Sequence, residues 1–229
     1  MISSIGLREW RAMLTGAAYE LRSAYAWLSE LDSICGDGDH GVTMLRVANL
    51  FEQCVAQGSG KSPEGLLSDV ALALIGLDSG ATGPLLGSFF LGMAEATGPK
   101  NELDARSLAE SFEAGLTAAS RQSGAHVGDK SLLDALVPAV EAMRRAADED
   151  RPLERILLAA SRAAQEGAVR TKNLVARTGR ARYLGERTLG TQDPGATSLS
   201  LIFKGFHAGI ATLEGQAEAA RGREGRGST

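Results

Sequence analysis

The chain has 229 residues, with 24 Lys and Arg against 28 Asp and Glu, for a formal net charge of -4. That acidic balance excludes nucleic acid as a main partner, and no apolar stretch is long enough to span a bilayer. Aromatics make up only 5% while Ala and Leu abound, which favours helices over sheets. Cys35 and Cys54 make no disulfide framework. The opening MISSIGLREW has too short an apolar run for a signal peptide. A cytoplasmic protein with reduced thiols is the expectation.

Residues 7–31 place Trp10, Leu14, Ala17, Leu21, Ala24, Leu28 and Leu31 at alternating spacings of three and four, which predicts one long amphipathic helix. An acidic, glycine-rich loop over 32–41 follows, then a helix to about Gln57. Ser62 and Pro63 read as the N-cap and first residue of a third helix. Residues 77–87 form a glycine-rich turn that opens the next helix. Further helices are expected over 104–121, 130–147 and 152–174, with Asp129 as a candidate N-cap. A long loop over 178–195 precedes a last helix from about Asp193 to Leu213. The pattern predicts an all-α fold of about eight helices with no strand, one domain over 1–213, and a disordered tail over 214–229, whose last nine residues lack apolar side chains.

Asp32, Asp37 and Asp39 fall within eight residues, and Gly36, Gly38 and Gly41 let the backbone turn them toward one point. Carboxylates held so close repel unless a cation sits between them. Hard, oxygen-seeking magnesium or calcium suits them, and magnesium keeps coordination positions open for phosphate oxygens. An acidic turn of helix caps is the competing reading. Residues 79–84 and 193–198 are two glycine-bearing helix starts. Free N–H groups there bind phosphate, although tight helix crossings need glycine as well. Between 170 and 187 lie Arg170, Lys172, Arg177, Arg180, Arg182 and Arg187 against one acid, Glu186. Arg180, beside Gly179, is the candidate phosphate contact; Arg170, Lys172 and Arg177 read as solvated. His126 and His207 are isolated, and Cys35 reads as a packed small residue.

The segments Gly36-Asp37-Gly38-Asp39-His40-Gly41, Gly80-Ala81-Thr82-Gly83-Pro84 and Gly128-Asp129-Lys130-Ser131 come in this order. So do the runs from Gly179 to Arg187 and from Gln192 to Ser198. Together they resemble the nucleotide-binding L subunit of dihydroxyacetone kinases, over about residues 5–213. The resemblance implies an eight-helix antiparallel barrel with a nucleotide and two magnesium ions at one end. It makes Asp32, Asp37 and Asp39 the metal ligands. His40, Gly41, Val42, Thr43, Ala81, Thr82, Leu132, Asp193, Pro194 and Gly195 become nucleotide contacts, and Arg180 both a phosphate contact and the catalytic cation. Ser123 is a further matched position, in a loop one residue longer than the family pattern.

A separate K-type subunit holds the ketose in such kinases. The resemblance therefore implies phosphoryl transfer to dihydroxyacetone or a related ketose on a partner. The donor is ATP, or a tightly bound ADP recharged by a phosphotransferase-system protein. A nucleotide-dependent regulatory module without chemistry of its own is the alternative.

Overall fold

A computed structural model describes residues 2–58 and 60–224. Among these, the helices are α1 (Leu7–Ser23), α2 (Tyr25–Cys35), α3 (His40–Gln57), α4 (Pro63–Ile75), α5 (Thr82–Thr97), α6 (Ala105–Ser123), α7 (Leu133–Asp148), α8 (Leu153–Arg170) and α9 (Pro194–Glu224). The fold is all-α, as expected. The one strand pair, β1 (Ile5–Gly6) with β2 (Glu102–Leu103), sets Ile5 opposite Leu103. Two residues per strand are too few for alternation to signal them. Among the described residues no helix is long and apolar enough to cross a membrane.

Eight helices close a ring. Going round it, α1 packs on α3, α3 on α4, and so on in order to α9, which returns to α1. Only α2 stands outside, against α3 and α9. The centre is aromatic: Phe112 stacks on Trp10 at 6.1 Å and meets Phe89, Phe203 and Phe206 at 5.7 to 6.1 Å between ring centroids. Side chains from α1, α5, α6 and α9 thus share one core, with offset and edge-on geometries that suit ring quadrupoles.

Three boundaries differ from expectation. The first helix breaks at Ala24 (φ -104°, ψ 6°). Neither glycine nor proline marks the break, which lets α2 leave the ring while burying Leu28 and Leu31. The helix expected to reach residue 174 ends at Arg170 and passes into a 3-10 turn over Thr171–Asn173. The last helix continues past Leu213 to Glu224, because Gln216, Ala217, Glu218, Ala219 and Ala220 are good helix formers. Residues 225–229 of the expected tail lie outside the described residues. Ser62 caps α4 as expected, accepting from the Gly65 N–H at 3.1 Å, with Pro63 in the first turn.

Helix crossings are made close by glycine. A Cβ on Gly205 or Gly209 of α9 would run into the backbone of α1 at Ala17 or Ala12, and one on Gly16 into Gly205. Gly205→Ala is therefore expected to destabilise the fold by about 1–3 kcal/mol through overpacking, despite alanine's advantage in a helix. The control is Gly215→Ala, where a Cβ would meet nothing within 4 Å. It should be neutral or stabilising by up to about 1 kcal/mol. Urea unfolding of the two variants checks both.

Candidate functional site

α3, α5, α7 and α9 all begin at one end of the ring, at His40, Thr82, Leu133 and Pro194. As alternate members of the ring, they place their positive ends together, where unpaired N–H groups and helix dipoles favour anions. A cleft of about 310 Å³ opens there, with walls from the acidic loop, residues 79–82, residues 130–132, residues 178–181 and residues 193–195. Its volume sits at the small end of the range for ligand sites.

Asp32 stands on the last turn of α2, and Asp37 and Asp39 on the loop that leads into α3. One carboxylate oxygen from each lies within 4.8 Å of the others. Gly38 turns the loop with φ 79°, and a Cβ on Gly36 would strike the Asp32 carboxylate. The His40 N–H donates to Asp32 Oδ2 at 3.3 Å. An all-carboxylate set, half open to solvent at helix N-termini, fits magnesium. It does not fit zinc, whose structural sites take sulfur or nitrogen; the neighbouring His40 ring turns away to Ser198 Oγ, at 3.0 Å. Burial pulls the His40 imidazole below its ordinary range, against the opposing Asp32 carboxylate. Across the cleft mouth Arg180 pairs with Asp37.

The other sequence candidates divide. His40, Ala81, Thr82, Leu132, Arg180, Asp193, Pro194 and Gly195 line the cleft with the three aspartates. Gly41, Val42, Thr43 and Ser123 are not among its walls. A Cβ on Gly41 would strike the Tyr25 carbonyl, so that glycine serves the α2–α3 crossing. Val42 is exposed and Thr43 buried. In residues 79–83 both meanings of glycine occur. Gly80 turns the chain with φ 58° and has open space around it, whereas Gly83 packs against Ser79 and Leu74. Asp193 does begin α9, accepting the Ala196 N–H at 2.7 Å. Burial pushes its carboxyl up to about 7, against the Ala196 N–H and the Lys130 ammonium.

Asp129 is not the cap of α7. It accepts from the His126 N–H at 2.8 Å, while Asp134 reaches back to the N–H groups of Ser131 at 2.7 Å and Gly128 at 2.6 Å. The spacing Ser131-Leu132-Leu133-Asp134 carried that signal, being half of a capping box. The sequence reading also passed over Lys130, which is buried and lines the cleft. Burial lowers its pKa, against the opposing Asp193 carboxylate.

The chain is thus an antiparallel helical ring with an acidic, oxygen-only cluster where four of its helices begin. The DAK2 domain family matches residues 34–208, and the chain belongs to it. It is 35% identical over 189 residues to the PEP-dependent dihydroxyacetone kinase ADP-binding subunit DhaL of Escherichia coli, covering 82% of this chain and 89% of that one. It is 32% identical to the D-erythrulose kinase of Mycolicibacterium smegmatis, over 88% of this chain but only 35% of that one. The dihydroxyacetone kinase of C. freundii in complex with AMP-PNP and Mg2+ superposes with a TM-score of 0.67 at 25% identity. That match covers 86% of this chain and 33% of the other, so the chain spans about a third of the longer kinase.

Asp134→Ala would leave two part-buried N–H donors without their acceptor. An unmet buried donor costs roughly 1–3 kcal/mol, so a loss of about 2–4 kcal/mol in urea unfolding is expected. Asp134→Asn, which keeps one acceptor oxygen, should lose about half as much.

Proposed function

We propose that this chain is the magnesium–nucleotide subunit of a small-ketose kinase, delivering a phosphoryl group to dihydroxyacetone or a close relative held by a separate K-type subunit. The observation that carries the reading is the carboxylate cluster, oxygens within 4.8 Å of one another, set where four helices begin. In support, the related E. coli subunit is named ADP-binding, and the C. freundii kinase was solved with AMP-PNP and Mg2+.

In this reading Asp32, Asp37 and Asp39 hold two magnesium ions, which when bound neutralise charge on the phosphates. The positive ends of α3, which opens with His40, Gly41, Val42 and Thr43, and of α5, beside Ala81 and Thr82, attract the phosphate charge through their helix dipoles. The His40 and Thr43 N–H groups themselves are held by Asp32 and the Asp39 carbonyl. Leu132 supplies an apolar face for the base. Asp193, Pro194 and Gly195 wall the cleft at the start of α9. Arg180 leaves Asp37 for the phosphate once the nucleotide is bound, and there offsets charge spreading in an in-line transfer. The K-type partner presents the acceptor hydroxyl at the cleft mouth. The donor is ATP, or a resident ADP recharged by a phosphotransferase-system protein.

Asp37→Ala is expected to weaken magnesium-dependent ADP binding by at least about tenfold, the loss of one charged ligand, with the helical circular-dichroism spectrum unchanged. Titration calorimetry of wild type and variant, with and without magnesium, checks this. Undiminished affinity with intact magnesium dependence would refute the ligand assignment. A coupled assay with K-type subunits then compares ATP with phosphoenolpyruvate-driven transfer. Nucleotide binding with no transfer in either arm would favour a regulatory module.

A further inference from the structure

Among the described residues Lys130 is the only buried lysine or arginine, 4% exposed. Its ammonium has no carboxylate within hydrogen-bonding distance. Instead Nζ donates to four backbone carbonyls, of Thr171 at 2.8 Å, Leu174 at 3.2 Å, Thr188 at 2.7 Å and Thr191 at 2.6 Å. All four belong to one segment, 171–191, and they come in pairs from its two ends. The middle of that segment carries Gly179 and Arg180 over the cleft. Without Lys130, four carbonyls would face one another with their negative ends converging and three ammonium N–H groups missing between them.

The other ties on this segment are weaker in kind. The Gly190 N–H donates to the Lys172 carbonyl at 2.8 Å, and the Arg177 N–H to the Asp129 carbonyl at 3.0 Å. Thr188 Oγ1 accepts the Ala176 N–H at 3.0 Å. Each is a neutral bond, whereas the ammonium makes charge-assisted ones; the other charged tie, between Arg180 and Asp37, is exposed at the middle of the segment and holds neither of its ends. Lys130 also has φ 59°, a left-handed conformation that a side-chain-bearing residue keeps only where its surroundings impose it. The imposition comes from Asp134, which holds the N–H groups on either side, at Gly128 and Ser131.

We infer that Lys130 is the positioning residue for Arg180, its ammonium stapling both ends of the 171–191 segment and so setting where the guanidinium stands over the cleft. The inference rests on the proposed role of Arg180 at the nucleotide phosphates, but its first test needs no nucleotide. Lys130→Met keeps the aliphatic stem and removes the donors. In the full chain without ligand, amides of 172–191 should exchange with solvent at least about tenfold faster than in wild type, with those of α1 and α9 unchanged. Unchanged exchange in that segment would overturn the staple. If the methionine variant does not fold, Lys130→Arg serves. It keeps the charge but cannot seat one nitrogen among four carbonyls, so the same segment should loosen to a smaller degree, and unchanged exchange again overturns the staple.

The second test separates positioning from general support by a double-mutant cycle on Mg-ADP affinity. Lys130→Met should weaken binding about tenfold in the wild-type background but less than about twofold when Arg180→Ala is already present, because the group it acts through is gone. Equal factors in both backgrounds would overturn the positioning role. A wild-type chain that takes up no Mg-ADP would instead defeat the proposed function, leaving the exchange result to decide the staple.

Discussion

Neighbouring helices in a closed even-membered ring run in opposite directions, so every second helix must start at the same end. That constraint places the first turns of α3, α5, α7 and α9 together and adds four positive helix ends to the Lys130 and Arg180 side chains that line the cleft there. The acidic loop is attached at that same end because it is the connection into α3. Carboxylates repel one another, and the helix dipoles oppose that repulsion. The opposite charges of Asp37 and Arg180 meet across the opening. Mixed charge of this kind suits a cation and a polyanion arriving together better than either alone.

The helices were legible, from three-and-four spacing in the first, the Ser62-Pro63 start and a composition rich in Ala and Leu but poor in aromatics; their closure into a ring came from the family resemblance. The acidic cluster was legible too, since its members are sequence neighbours and proximity in the chain forces proximity in space. What escaped was non-local or backbone-made. The break at Ala24 has no local cause and follows from α2 packing on α3 and α9. Lys130 finds four carbonyls between 41 and 61 residues away, and carbonyls carry no residue identity for a sequence to display.

Glycine was the most ambiguous letter. At Gly38 and Gly80 it turns the chain with positive φ; at Gly41, Gly83, Gly205 and Gly209 it lets another backbone or side chain come close. The two uses look alike in sequence because both demand the absence of a Cβ. One feature separates them here: turning glycines sit among polar residues outside helices, whereas crossing glycines fall within helices on the face that meets a neighbour. At residues 41 and 83 the absence of a Cβ is already required by packing.

The tight seam between α1 and α9 joins helices from opposite extremes of the described chain. During synthesis the apolar stripe of α1, with Trp10, Met13 and Leu14, emerges long before Gly205 and Gly209 exist to cover it. Helical proteins are usually quick to fold because their contacts are local, yet this one cannot shut until its final helix has left the ribosome. Until then the nascent barrel is an open arc with a greasy edge, the kind of exposed surface that invites self-association or a chaperone.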